Sequence, residues 1–139
     1  MTKILMIEDS EQNPLLKDDW LSELSNANCS AITVHSFKEG LRKIETENFD
    51  LVFLDLDIGD TVGVSKMVDI VHRTKDLPIL VCSSSEDPLV KDHALELGAA
   101  GFLRKHSFNA KLLIAKIQFS IENFKQAKVH MAMFKHNIF

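Results

Sequence analysis

Short apolar runs and amphipathic stretches of helix length take turns along this chain of 139 residues. Five runs have the length and apolar character of strands: "KILMIE" (3–8), "AITVH" (31–35), "LVFLD" (51–55), "PILVC" (78–82) and "GFLR" (101–104). Between them the apolar residues recur at helical spacing. Asn13-Pro14 pairs an N-cap with a first-turn proline and opens a helix carrying Leu16, Trp20, Leu21 and Leu24. "SFKE", from Ser36 to Glu39, has capping-box spacing ahead of Leu41 and Ile44. Gly63 precedes a third helix with Val64, Met67, Val68 and Val71. Asp87-Pro88 opens a fourth through Leu89, Ala94 and Leu97, ended by Gly98. Ser107 or Asn109 starts the last helix, which runs on beyond the length needed to cover a sheet.

Strands that alternate with helices imply βαβ units, right-handed crossovers and a parallel sheet covered on both faces. The third and fourth runs are apolar at successive positions, as doubly buried strands must be. The expected fold is therefore α/β: a doubly wound, five-stranded parallel sheet of flavodoxin-like order 2-1-3-4-5, with an extended C-terminal helix. One domain is expected over residues 1–124. Residues 125–139 read as a helical extension, or as the start of a linker to an output domain.

In such a sheet, ligands bind beyond the carboxyl ends of the strands, where the strand order reverses. The first strand ends in Glu8-Asp9, the third in Asp55, the fourth in Ser83-Ser84-Ser85 and the fifth in Arg104-Lys105. Carboxylates converging at one edge need a cation, and oxygen-only ligation suits a hard ion such as Mg²⁺. A lysine and a hydroxyl opposite them complement a tetrahedral anion. Metal, carboxylate, hydroxyl and ammonium together describe phosphoryl transfer to a carboxylate oxygen. The bland readings differ: a strand-end Asp caps the next helix, a serine run makes a turn, and Glu8 or Lys105 sits in solvent.

Four fragments in this order, "IED" (7–9), "LDLDIGDTVG" (54–63), "PILVCSSS" (78–85) and "GAAGFLRK" (98–105), resemble the receiver domain of two-component response regulators. The resemblance spans about residues 3–124. It implies that Asp55 accepts a phosphoryl group from a histidine kinase or phosphotransfer protein and controls an output domain or downstream effector. It also implies Mg²⁺ held by Glu8, Asp9, Asp55 and the backbone carbonyl of Asp57. The switch hydroxyl matches Ser83, the phosphate-pairing lysine Lys105 and the switch aromatic Phe102. Such a domain is a signalling phosphoacceptor rather than an enzyme with a turnover substrate. Gly59 and His106 stand where the family usually has proline, which loosens the loop after Asp57 and favours a trans peptide after Lys105. The side chain of Asp57 is expected to be solvated.

"DLDIG" (55–59) also resembles the D-x-D motif of haloacid-dehalogenase-type phosphatases, with Asp55 as nucleophile. That motif normally lies near the N-terminus, and the family needs an acidic pair after its lysine. Downstream of Lys105 the only acid is Glu122.

Charge narrows the partners. The net charge of −4 divides into about +4 for residues 106–139 and −8 for the rest. An acidic body argues against direct nucleic-acid binding, which needs clustered Lys and Arg. No apolar run reaches the roughly 18 residues of a membrane span, and the expectation is a cytoplasmic protein with no membrane contact. Cys29 and Cys82 have no metal-ligand spacing and are expected as reduced thiols. The six histidines are expected at the surface. In the last helix, Ile114, Ile117, Ile121, Phe124, Met131 and Ile138 follow spacings of three, four or seven. Read as a heptad they are expected to make an output or homodimer seam, which Lys128 and Lys135 weaken; the alternatives are a frayed basic tail, or one folded back on its own domain through Phe134 and Phe139.

Overall fold

The computed structural model describes residues 1–8, 18–57, 65–74, 76–105 and 107–138. Five strands form one sheet: β1 (Thr2–Ile7), β2 (Cys29–Val34), β3 (Leu51–Asp55), β4 (Ile79–Ser83) and β5 (Gly101–Arg104). Their order is β2-β1-β3-β4-β5 and neighbouring strands are parallel. The helices are α1 (Asp18–Asn26), α2 (Phe37–Thr46), α3 (Ser65–Arg73), α4 (Pro88–Glu96) and α5 (Ala110–Ile138). The fold is the expected one, with strand ends moved by one or two residues.

The two-residue period of each strand builds two cores. Leu5, Ile7, Val52, Leu54, Ile79 and Val81 pack with Met67 and Ile70 of α3 and Ala94 of α4. Ile4, Met6, Leu51, Phe53, Leu80 and Cys82 point the other way, toward Leu24 of α1 and Leu113 and Ile117 of α5. Both faces of β3 and β4 are therefore dry, which explains their continuous apolar sequence.

Local chemistry sets the helix ends. Ser36 accepts the Glu39 N–H at 3.1 Å, Asp87 accepts the Leu89 N–H at 3.0 Å, and Asn109 accepts the Leu112 N–H at 2.8 Å. The last bond decides between the two candidate starts of α5 in favour of Asn109. Ser107 instead closes the preceding turn on the Arg104 carbonyl at 2.9 Å. Gly98 ends α4 at φ +113°, a backbone region that L side chains rarely adopt. The Asn13-Pro14 start of the first helix, and Gly63 and Val64 of the third, lie outside the described residues.

Some expected core positions face water. Leu21, Val68 and Leu89 are exposed, because each helix covers the sheet with a narrow stripe and these residues lie beside it. The cysteines are free thiols and both are buried. His35 is half-buried, with its Nδ1 turned inward and without a hydrogen-bond partner. Among the described residues, no helix is long and apolar enough to cross a membrane.

Candidate functional site

The carboxyl ends of β3, β4 and β5 bring the polar groups together. Asp55 is the last residue of β3 and only 1% exposed. Its Oδ2 accepts from Lys105 Nζ at 3.0 Å, and its Oδ1 accepts the Asp57 N–H at 2.9 Å. Lys105 reaches it because the strand ladder continues past β5: the Lys105 N–H donates to the Ser83 carbonyl at 2.9 Å. The chain is thus steered back over the edge that Asp55 closes.

Asp57 is exposed, in keeping with a solvated side chain. Its carboxylate also has partners: Oδ2 accepts the Ser84 N–H at 2.9 Å and lies 3.7 Å from Lys105 Nζ. Lys105 therefore stands between two carboxylates, and Asp57 ties the loop after β3 to the loop after β4. Ser83, the last residue of β4, is 2% exposed, and its Oγ accepts the Ser85 N–H at 3.1 Å. Its own O–H remains a donor.

Burial disfavours the charge on Lys105, but the hydrogen bond and negative charge of Asp55, then the charge of Asp57, outweigh it. The ammonium is held above the ordinary lysine range. Cys82 pairs in register with Asp55. Burial pushes its thiol well up, the charge of Asp55 adds to this, Lys105 opposes it, and Asp57 and Glu8 add the rest. The acidic groups of β1 and β3 are thus felt at one point of the sheet.

Glu8 follows β1 directly, is 2% exposed, and its N–H donates to the Val34 carbonyl at 3.0 Å. It is not the solvated acid of the bland reading. Asp9, Gly59 and His106 lie outside the described residues, so the acidic pair and both departures from the usual prolines do too. Among the described residues, no three His, Cys, Asp or Glu side chains gather closely enough to hold a metal by themselves. The oxygen donors at this edge, carboxylates and a backbone carbonyl, nonetheless suit a hard cation. Phe102 is half-buried on β5, against the core that α4 covers. A cleft of about 470 Å³ lies away from this edge, among Met1, Asn28, Asp50, Pro78 and Phe124.

Sequence reasoning missed Lys66. It lies in the first turn of α3, is 2% exposed, and Nζ donates to the Leu56 carbonyl at 3.4 Å. The available signal was a lysine on the stripe shared by Met67 and Ile70, where a solvated lysine has no place.

The doubly wound sheet thus holds a buried carboxylate, a lysine against it and a strand-end serine at the edge where such α/β folds bind ligands. The family model "Response regulator receiver domain" matches residues 4–118, and the chain belongs to that family. It is 29% identical over 105 residues to the transcriptional regulatory protein CiaR of Streptococcus pneumoniae, covering 76% of this chain and 45% of CiaR. It is 30% identical over 118 residues to the response regulator ArlR of Staphylococcus aureus, covering 85% of this chain and 52% of ArlR. The chain thus spans about half the length of these curated relatives. Among solved structures it resembles the chemotaxis response regulator CheY4 of Vibrio cholerae, with TM-score 0.70, 24% identity, and coverage of 86% of this chain and 98% of that one. It also resembles a response regulator from Burkholderia pseudomallei with a phosphorylated aspartic acid, calcium ion and citrate. That likeness has TM-score 0.71, 21% identity, and coverage of 96% and 74%. At these identities the structures speak for the fold. The family match and these relatives lend no support to the phosphatase reading of "DLDIG".

Proposed function

We propose that this receiver domain takes a phosphoryl group onto Asp55 from the phosphohistidine of a histidine kinase or phosphotransfer protein. The observation that carries the reading is the buried Asp55 carboxylate, with Lys105 Nζ 3.0 Å from Oδ2. An Asp55 oxygen attacks phosphorus, one P–O bond forms as the P–N bond to imidazole breaks, and the imidazole leaves as the neutral base once protonated. Lys105 then exchanges its Asp55 contact for a phosphoryl oxygen, and the Ser83 O–H donates to another. Glu8, Asp9, Asp55 and the Asp57 carbonyl would hold Mg²⁺, which supplies charge neutralisation for the phosphoryl oxygens when bound. Movement of Ser83 toward the phosphoryl group leaves room behind β4 into which Phe102 turns, and this is the switch. The domain acts as a signalling phosphoacceptor rather than a turnover enzyme.

Acetyl phosphate with Mg²⁺, followed by mapping of the added phosphoryl mass, tests the assignment. Labelling is expected on Asp55 and is expected to vanish in Asp55→Asn and in EDTA. Undiminished labelling of that variant refutes it.

The receiver proper is assigned to residues 1–124 and the helical extension to 125–139. The output lies in a further domain or a separate effector, since the curated relatives are about twice as long, and direct nucleic-acid contact is not assigned to this chain. The extension is read as a homodimer element. In α5 the row buried against the chain's own sheet is Ala110, Leu113, Ile117 and Ser120. The seam read from the sequence, Ile114, Ile117, Ile121, Phe124, Met131 and Ile138, shares Ile117 with that row, and Met131 on it is exposed. A second copy of this helix matches that seam in chemistry and length. Lys128, which weakens that seam, pairs with Asp76 of its own chain. Light scattering of the intact chain and of one ending at Asn123, each with and without beryllofluoride, decides the matter. A dimer lost on truncation supports the reading, and monomers in all four samples overturn it.

A further inference from the structure

Lys66 is a charged side chain in a dry place. It is 2% exposed and sits in α3 beside Met67 and Ile70, which are fully buried. An ammonium there gives up its hydration. Near a helix N-terminus it also meets the unfavourable end of the helix dipole. Neither the helix nor the apolar core accounts for a lysine at this position.

One of its contacts leads directly to the site. Lys66 Nζ donates to the Leu56 carbonyl at 3.4 Å. That carbonyl and the Asp57 N–H are the two ends of one peptide group, and the Asp57 N–H donates to Asp55 Oδ1 at 2.9 Å. The peptide dipole therefore lies between an ammonium at its oxygen end and a carboxylate at its hydrogen end. Each charge polarises the group in the sense that strengthens the other bond. Lys105 acts on the remaining oxygen, Oδ2, directly. The two oxygens of Asp55 are thus held by two lysines, one touching the carboxylate and one acting through a peptide.

We propose that Lys66 is a positioning residue for phosphoryl transfer. Through the 56–57 peptide it fixes Asp55 Oδ1 and the start of the loop that carries the Asp57 carbonyl. The inference rests on the assignment of Asp55 as phosphoacceptor. A contact of 3.4 Å is longer than the usual N–H···O bond of about 2.7–3.2 Å, so the effect on rate is moderate.

The test uses the full chain with Lys66→Met, which keeps length and removes charge, and Lys66→Gln, which keeps a neutral donor. Three quantities are measured: the rate of phosphorylation by acetyl phosphate with Mg²⁺, the backbone amide proton shift of Asp57, and the urea midpoint. Lys66→Met is expected to phosphorylate about fivefold more slowly, equivalent to roughly 1 kcal/mol of barrier. Its Asp57 amide proton moves upfield as the bond to Asp55 weakens. Its urea midpoint falls no further than that of Lys66→Gln, because both variants lose the ammonium and the apolar side chain suits the buried site. Lys66→Gln is expected between wild type and Lys66→Met in rate and in shift. An unmoved Asp57 amide overturns the proposal, as does a rate within about twofold of wild type. A slowed rate whose size follows the midpoint across the two variants, rather than the Asp57 shift, reduces Lys66 to a structural role and overturns it too. If the wild type takes no phosphoryl group, or Asp55→Asn takes as much, the acceptor assignment fails. The Asp57 shift still reads the clamp in that case.

Discussion

Replacing Lys105 with methionine removes the ammonium that faces Asp55 and leaves the volume nearly unchanged. The two charges are 3.0 Å apart, with side-chain exposures of 15% and 1%. At an effective dielectric of about 20, such a pair attracts by roughly 5 kcal/mol gross. Desolvation of the buried carboxylate returns a large part of that, and charge-assisted hydrogen bonds of this kind contribute about 1.5–3 kcal/mol net. The contact to Asp57 is longer, 3.7 Å, and more exposed, adding about 0.5 kcal/mol at most. Lys105→Met is therefore expected to lose roughly 2 kcal/mol of stability at pH 7. With a urea m-value of about 2 kcal/mol/M, the midpoint falls by about 1 M. Urea unfolding in EDTA measures it, for wild type, Lys105→Met, Asp55→Asn and the double variant. In the Asp55→Asn background the loss should shrink to about 0.5 kcal/mol or less, because the missing ammonium no longer leaves a carboxylate without its cation. An equal loss in both backgrounds refutes the reasoning, since the cost would then be packing. The pH dependence has a definite sign. The folded state holds Lys105 above its ordinary value of 10.5, so its contribution is fully present below that value and lost as pH rises through the raised one. The gap between wild type and Lys105→Met should stay flat from about pH 7 to 9 and narrow only above the ordinary lysine range.

Asp57→Asn removes a carboxylate that repels an incoming dianion, and phosphorylation by acetyl phosphate is expected to quicken about threefold; a change within about twofold makes the side chain a bystander. Gly40→Ala should cost about 1–3 kcal/mol in urea unfolding, because a Cβ there would meet Ile7 Cγ1 at 2.7 Å in the core between α2 and β1; a stability equal to wild type would show that Ile7 can give way. Cys82, whose thiol burial first and Asp55 second hold protonated, is expected to resist Ellman's reagent at pH 8 in the folded protein and to react at once in denaturant. Asp55→Asn should leave it resistant, because burial is the larger cause; rapid labelling of the folded variant would reverse that ranking.

The sequence by itself determined the architecture and the edge on which the site lies. Continuous apolar character in Leu51–Leu54 and Ile79–Cys82 demanded strands dry on both faces, and the alternation with helices demanded parallel pairing. Together these put Asp55, Ser83 and Lys105 at one end of the sheet. Periodicity, however, reports only which way a residue points from its own element. It could not decide whether Ser107 or Asn109 begins α5, because both can cap and only one N–H geometry is realised. Nor could it distinguish the stripe from its margins, so Leu21, Val68 and Leu89 read as core and face water. The partners of charged groups were decided by the tertiary structure alone. Asp57 binds the Ser84 N–H across 27 residues of sequence, and Lys66 is drawn inside against the Leu56 carbonyl. Both depend on where separate strand ends and helix starts come to rest relative to one another. A hydrogen bond is made or lost within a few tenths of an ångström, whereas the hydrophobic pattern tolerates shifts many times larger.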